Sequence, residues 1–355
     1  MNRQTECLNK ISAIRLELTR TGKSGVLIRE QPNFSWVTAG GRGFLGLAAT
    51  VSCGWVLVTA DHAWLLANSI EGRRLMNEEL PADMFELRTL PWEEDGGLAR
   101  LAEELAGDSL TTDADWRDWF AAARVRLTLP EQDRFRALGR DAADALESVL
   151  KHAAPGIREF EAAGLLSSAL WGKGIEPISL FTGADERGER VRHFIPSAKR
   201  AKTCLIASVC ARRGGLIVSA TRTVCFGSSP KPEKYRALLE VEAETYKALE
   251  ACLPLAEVYQ AICTAYTDNR LDGEWLNHHQ GGLTGYLPRE IRIDGGTARR
   301  AASEEAYAFN LSCPGAKVED TVLLVESRIE VITACGDWPV RRVGGRERPD
   351  ILVTH

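Results

Sequence analysis

Three imidazoles, one guanidinium and one carboxylate are the groups of this chain best suited to acid-base and ion-binding chemistry. His193, in RVRHFIPS, has a side chain that titrates near neutral pH, so it can take a proton from water and return it to a leaving nitrogen. His278 and His279 open the segment HHQGGLTGYLPRE. On an extended segment adjacent residues point to opposite sides, so one of the two is expected to face a pocket and the other to be structural. Arg289, near the end of the same segment, offers a planar fork suited to bidentate capture of a carboxylate. The competing reading is an internal ion pair with Glu290 or Glu319. Gly281, Gly282 and Gly285 would let backbone approach a ligand, or mark a bulge.

Those residues need a scaffold, and the stretch CLIASVCARRGGLIVSATRTVCFG, from Cys204 to Gly227, reads as a β-hairpin. Its β-branched runs flank Arg212-Arg213-Gly214-Gly215, the expected loop. A hairpin symmetric about that loop sets Ser208 opposite Ser219. By period-2 alternation Ile206, Ser208 and Cys210 share one polar, uncharged face with Ser219, Thr221 and Thr223. Upstream, residues 5–20 show helical periodicity and GVLIRE, NFSWVTAG, TVSCGWVLVTA and HAWLLA follow as strand candidates. ARLAEELAG and WRDWFAAARV then read as helices. This predicts a mixed α/β amino-terminal domain over 1–128. In TLPEQD, Pro130 takes a helix-start position and opens a long amphipathic helix to about His152. A second helix precedes the hairpin and two more follow it. Strands carrying His279, Asn310 and Glu319 complete an α+β domain over 129–355.

Five separated segments, NFSWVTAGG, RHFIPS, GLIVSATRTVCFG, HHQGGLTGYLPRE and PGAKVEDTVLL, resemble in order the pita-bread superfamily of aminopeptidase P, prolidase and creatinase. The resemblance implies a creatinase/prolidase-type amino-terminal domain followed by a pita-bread (M24-like) catalytic domain. In the metallopeptidases two Asp, one His and two Glu hold two metal ions. Carried over, those positions are Ser208, Ser219, His279, Asn310 and Glu319, so three of four carboxylates are missing. Two divalent cations bring a formal charge of about +4, which one His and one Glu do not offset. No metal and no cofactor is therefore expected.

Creatinase cleaves a C–N bond without metal, and this chain is similar to it where it departs from the peptidases. The resemblance makes His193 the catalytic acid/base, with Glu319 and His279 positioning water and substrate. It assigns substrate binding to Arg289, Ser208, Ser219, Thr221, Asn310 and Tyr286, with Arg42 the nearest equivalent of an arginine contributed by a neighbouring subunit. The glutamate that contacts the guanidinium in creatinase falls on Thr221, so creatine itself is not expected. The implied activity is a metal-independent hydrolase, or a lyase, acting on a C–N bond of a small, polar, carboxylate-bearing amidino or amide-like compound. The alternatives are a catalytically silent binding or scaffold protein and a metal-dependent Xaa-Pro peptidase.

Composition agrees with a small-molecule protein. The 355 residues are 45% hydrophobic, enough for two domains with sizeable cores. A net charge of −5 with no long basic tract argues against nucleic-acid binding. No signal-like or membrane-spanning run is present, so a cytoplasmic protein without membrane partners is expected, as a homodimer by resemblance. Nine cysteines, an odd number without a CxxC pair, read as reduced and mostly buried thiols.

Overall fold

The computed structural model describes residues 2–229 and 231–354. It divides into two compact units, Met1–Arg126 with Gly214–Leu216, and Leu127–Arg213 with Ile217–His355.

The first unit holds β1 (Gly25–Glu30), β2 (Val51–Thr59), β3 (Ala63–Asn68), β4 (Glu86–Leu90) and β5 (Leu110–Thr112) in one mixed sheet of order β4-β3-β2-β1-β5. Leu27, Leu57, Trp64 and Leu66 of this sheet pack with Leu98 and Ala102 of the helix Leu98–Ala106. One expectation is corrected here: NFSWVTAG is no strand, because Gln31–Val37 is a helix with Pro in its first turn. Its aromatic residues made it resemble a strand. Phe34 and Trp36 are buried, and Trp36 meets Trp119 and Phe120 edge-on at 6.0 Å each, so the segment is helical core.

In the second unit the helix Leu129–Lys151 begins with a reciprocal cap. The Thr128 backbone N–H donates to Glu131 Oε2 at 2.8 Å, while the Thr128 hydroxyl oxygen accepts from the Glu131 N–H. The helices Glu159–Trp171, Pro232–Glu250 and Leu255–Asp268 follow the sequence periodicity. Among the described residues eleven strands complete the unit: β6 (Glu176–Ala184), β7 (Cys204–Arg213), β8 (Leu216–Phe226), β9 (Gly281–Thr284), β10 (Ile291–Arg292), β11 (Glu305–Cys313), β12 (Ala316–Val325), β13 (Arg328–Val331), β14 (Val340–Val343), β15 (Arg346–Pro349) and β16 (Leu352–Thr354). The large sheet runs β10-β9-β11-β12-β8-β7-β6, with β13 on β12 and β16 on β8, and β14-β15 form a separate pair.

The hairpin exists, but its turn is tighter than expected. Only Gly214 and Gly215 connect β7 to β8, both at positive φ (57° and 80°), as a two-residue turn requires. The two Arg taken for loop lie in β7. Pairing therefore shifts: the Ser208 and Thr221 hydroxyl oxygens lie 2.6 Å apart and Cys210 Sγ lies 3.3 Å from Ser219 Oγ. Ser208 faces Thr221, not Ser219, although the membership of the face is unchanged. The same register brings Cys204 and Cys225 together in a disulfide, which corrects the expectation of nine reduced thiols. Among the described residues no helix is long and apolar enough to cross a membrane.

Candidate active site

Every strand from β6 to β12 that lies in the core of the large sheet contributes one residue to a single row. Phe181 pairs with Ser208, Ser208 meets Thr221, Thr221 pairs with Glu319, and Glu319 pairs with Asn310. Period-2 alternation turns all five side chains to one face. Glu319 is the hub. Its Oε2 accepts from the Thr221 hydroxyl at 2.8 Å and lies 3.2 Å from Lys317 Nζ, and its Oε1 accepts from Arg289 Nη2 at 3.2 Å. Burial alone would raise this carboxyl. Lys317, Arg289 and the Thr221 hydroxyl outweigh it and hold the group below its ordinary value, so it is ionised.

The imidazoles stand on loops fixed to this sheet. Phe194 is buried and its carbonyl accepts from Thr182 N–H at 3.0 Å, which seats the neighbouring His193 ring 5.3 Å from the Phe181 ring. An Arg192–Glu274 ion pair ties this loop to the short 3-10 turn Glu274–Asn277 that leads into His278. Gln280 is buried. Its Nε2 donates to Trp275 O at 3.1 Å, and its backbone carbonyl accepts from Asn310 N–H at 3.1 Å. His278 Nε2 lies 3.2 Å from His193 Nε2, and the His278 and His279 rings stack at 4.6 Å.

The expectation for His278 is thus corrected: it is the direct partner of His193, and both imidazoles of the pair lie to one side. Strand alternation does not apply, because the pair precedes β9. Partial burial lowers the His193 pKa, helped by the Lys317 charge and opposed by Glu319. Burial first, then Lys317 and the adjacent imidazoles, brings His278 down to about 3; burial, then Arg289 and Arg292, brings His279 to about 4. All three rings are neutral at pH 7. Burial and Glu319 raise the Cys210 pKa, so the thiol beside Ser219 stays protonated.

Other expected site residues fall as follows. Ser208, Ser219, Thr221, Asn310, Glu319 and Arg289 are brought together, with Asn310 Oδ1 and Arg289 Nε buried and without a partner among the described residues. Arg289 takes the internal ion pair, to Glu319. Tyr286 is corrected: it is buried and its hydroxyl donates to Glu131 Oε1 at 2.6 Å, a cap residue of the helix Leu129–Lys151, so it does not bind substrate. Arg42 belongs to the first unit, where its guanidinium and its backbone N–H are held by Glu79. Gly281 and Gly282 have positive φ (122° and 147°), and a Cβ there would lie 2.2 Å from Ala308 O and 2.1 Å from Ile291 O. They serve strand packing, not ligand approach. Lys317 was missed by sequence reasoning; its signal is a lysine in the apolar, alternating run AKVEDTVLLV, where burial demands a partner.

The sequence pattern of metallopeptidase family M24 matches residues 133–325. The chain belongs to that family. Its fold is shared with the prolidase of Pyrococcus horikoshii (18% identity, 92% of this chain and 98% of that one, TM-score 0.72) and with an X-Pro aminopeptidase of Thermotoga maritima (16%, 97% and 99%, 0.74). It is shared also with the N-terminal domain of the FACT complex subunit SPT16 from chickpea (12%, 95% and 97%, 0.67). No curated protein sequence gives a significant match. The amino-terminal domain plus pita-bread architecture read from the sequence is the architecture found. The side chains gathered here do not fit the two-metal centre that the family name implies. Among the described residues no group of three or more His, Cys, Asp and Glu is placed to hold a metal ion, and the Glu319 oxygens already face two cations.

Proposed function

We propose that this chain is a metal-independent hydrolase that cleaves a C–N bond of a small, polar, carboxylate-bearing amidino or amide-like compound. One observation carries the reading: His193 and His278 form a directly bonded pair of neutral imidazoles beside an ionised Glu319. If His193 Nε2–H donates to His278 Nε2, the lone pair on His193 Nδ1 is left to act. It takes a proton from water as the water oxygen bonds to the amidino or amide carbon. The same proton then passes to the leaving nitrogen as the C–N bond breaks, which restores neutral His193. The hydroxyl-rich row of Ser208, Thr221 and Ser219, with Asn310, orients the polar body of the substrate. Arg289 keeps Nε for the ligand while Nη2 holds Glu319.

The test is turnover of guanidino, amidino and N-acyl amino acids by chelator-treated protein, wild type against His193→Ala. The variant is expected to lose at least about 100-fold in kcat. Unchanged turnover in the variant, or turnover that appears only on adding Mn²⁺, Co²⁺ or Zn²⁺, would remove this reading.

A second reading, a silent binding protein, is favoured by one fact: both Glu319 oxygens are already occupied by Thr221, Lys317 and Arg289. It expects no turnover in either protein and a changed ligand affinity in His193→Ala.

A further inference from the structure

His193 and His278 meet from two separate segments, and backbone hydrogen bonds do not account for the meeting. Before His193 the chain is bonded at Val191, whose N–H donates to Arg187 O at 3.1 Å, and after it at Phe194, whose carbonyl accepts from Thr182 N–H. Between them neither Arg192 nor His193 makes a backbone hydrogen bond among the described residues. The approach to His278 is better held. The Trp275 ring lies 6.2 Å from that of Tyr266, whose hydroxyl oxygen accepts from Ser312 N–H at 2.9 Å. Gln280 Nε2 closes the turn by donating to the carbonyls of Trp275 and His278. Two polar contacts then cross from one segment to the other among the described residues, His193 to His278 at 3.2 Å and the Arg192–Glu274 ion pair.

These two contacts differ in strength. A hydrogen bond between two neutral rings is an ordinary one, weak against the freedom of a bend that has no backbone bonds of its own. The ion pair is charge-assisted, and its side chains are only 16% and 21% exposed, so solvent screens it less than a surface pair. Glu274 Oε2 also accepts from Asn277 Nδ2 at 3.3 Å, which holds the carboxylate on the turn leading to His278. Arg192 directly precedes His193, so a guanidinium fixed there carries the imidazole with it.

We propose that Arg192 and Glu274 are positioning residues of this site: their ion pair brings His193 to His278, and opening it separates the two rings. The proposal deepens the hydrolase reading; its kinetic consequence rests on that reading and its spectroscopic consequence does not.

The experiment follows the ring nitrogens of His193 by ¹⁵N NMR at neutral pH, assigned against His193→Ala. A ring bonded to His278 keeps one tautomer, so its two nitrogens are expected to be well separated in shift. In Arg192→Met and in Glu274→Ala the tautomers average, and the separation should fall at least about twofold. The exchanged double variant, Arg192→Glu with Glu274→Arg, restores the pair and should restore the separation. Lys199→Met removes the Lys199–Glu186 pair, which lies within the His193 segment and does not cross to the other, and should change nothing. On a turned-over substrate either single variant should lose at least about tenfold in kcat while KM stays within about twofold.

Full separation in both single variants, or an equal loss in Lys199→Met, would overturn the proposal. So would an exchanged variant that behaves as the single ones do, or a wild type whose ring is already averaged. A single tautomer in the wild type with no turnover on any substrate, or an unchanged kcat in a variant with averaged rings, would instead count against the hydrolase reading alone.

Discussion

Thr221 and Arg222, and likewise Glu319 and Asp320, are chain neighbours that point to opposite faces of one sheet, and the two faces are built on different terms. Behind the sheet every nitrogen of Arg222 has an acceptor, among them Glu147 at 2.8 Å, Asp320 at 3.0 Å and the Thr333 carbonyl. Arg348 of β15 bonds Glu242 at 2.6 Å and Asp320 at 2.7 Å, and Tyr246 donates to the same Glu242. These residues fasten the helices Leu129–Lys151 and Pro232–Glu250 and the strand β15 to the sheet. In front, Asn310 Oδ1, Arg289 Nε, Thr223 Oγ1, Ser312 Oγ and His278 Nδ1 lack partners among the described residues. A buried network that is nearly complete specifies structure. An incomplete one, beside titratable rings, is where the proposed ligand would complete it.

Removing one member of the rear network leaves buried charge uncompensated. Arg222→Met is therefore expected to cost about 3–5 kcal/mol in urea unfolding. Thr221→Val on the front face should cost about 1 kcal/mol, the net worth of an ordinary hydrogen bond. Equal losses from the two neighbours would erase the distinction between the faces.

The front face also carries the Cys204–Cys225 disulfide. Its reduction is expected to cost about 2–4 kcal/mol. In denatured protein the thiol titre should rise from the seven free cysteines to nine on adding reductant. A titre of nine without reductant would restore the expectation of fully reduced thiols.

The sequence made the polar face of the hairpin legible because strand alternation is local: Ser208, Ser219 and Thr221 share a face whether two or four residues turn the hairpin, while Glu319 joined them only through the resemblance. It did not make the partners legible. The pairing of Ser208 with Thr221 and of Cys204 with Cys225 depends on whether two or four residues turn the hairpin, and Arg212-Arg213 looked as loop-like as Gly214-Gly215. Lys317 was hidden by its run of apolar neighbours, since nothing local says that an ammonium will be buried against the carboxylate two positions along the same strand. The helix Gln31–Val37 was misread for the opposite reason: burial on nearly all sides erased the period that distinguishes helix from strand.

The smallest expected effect tests whether the front face is a neutral-histidine site. An unfolded histidine titrates at its ordinary value of 6.5, while His278 and His279 in the fold resist protonation down to about 3 and about 4. Below pH 6.5 the unfolded chain therefore binds more protons than the native one. Stability contributed by these rings is complete above 6.5 and is lost as pH falls from there toward 4. His278→Gln should flatten that decline in a series of Tm measurements between pH 7 and pH 4, and His279→Gln should do so to a smaller extent. The rear network, whose arginines stay charged throughout, should give Arg222→Lys no such change in slope. A decline of the same steepness in His278→Gln as in the wild type would mean that the acid sensitivity arises elsewhere, and that the ring beside His193 is free to take up a proton at neutral pH.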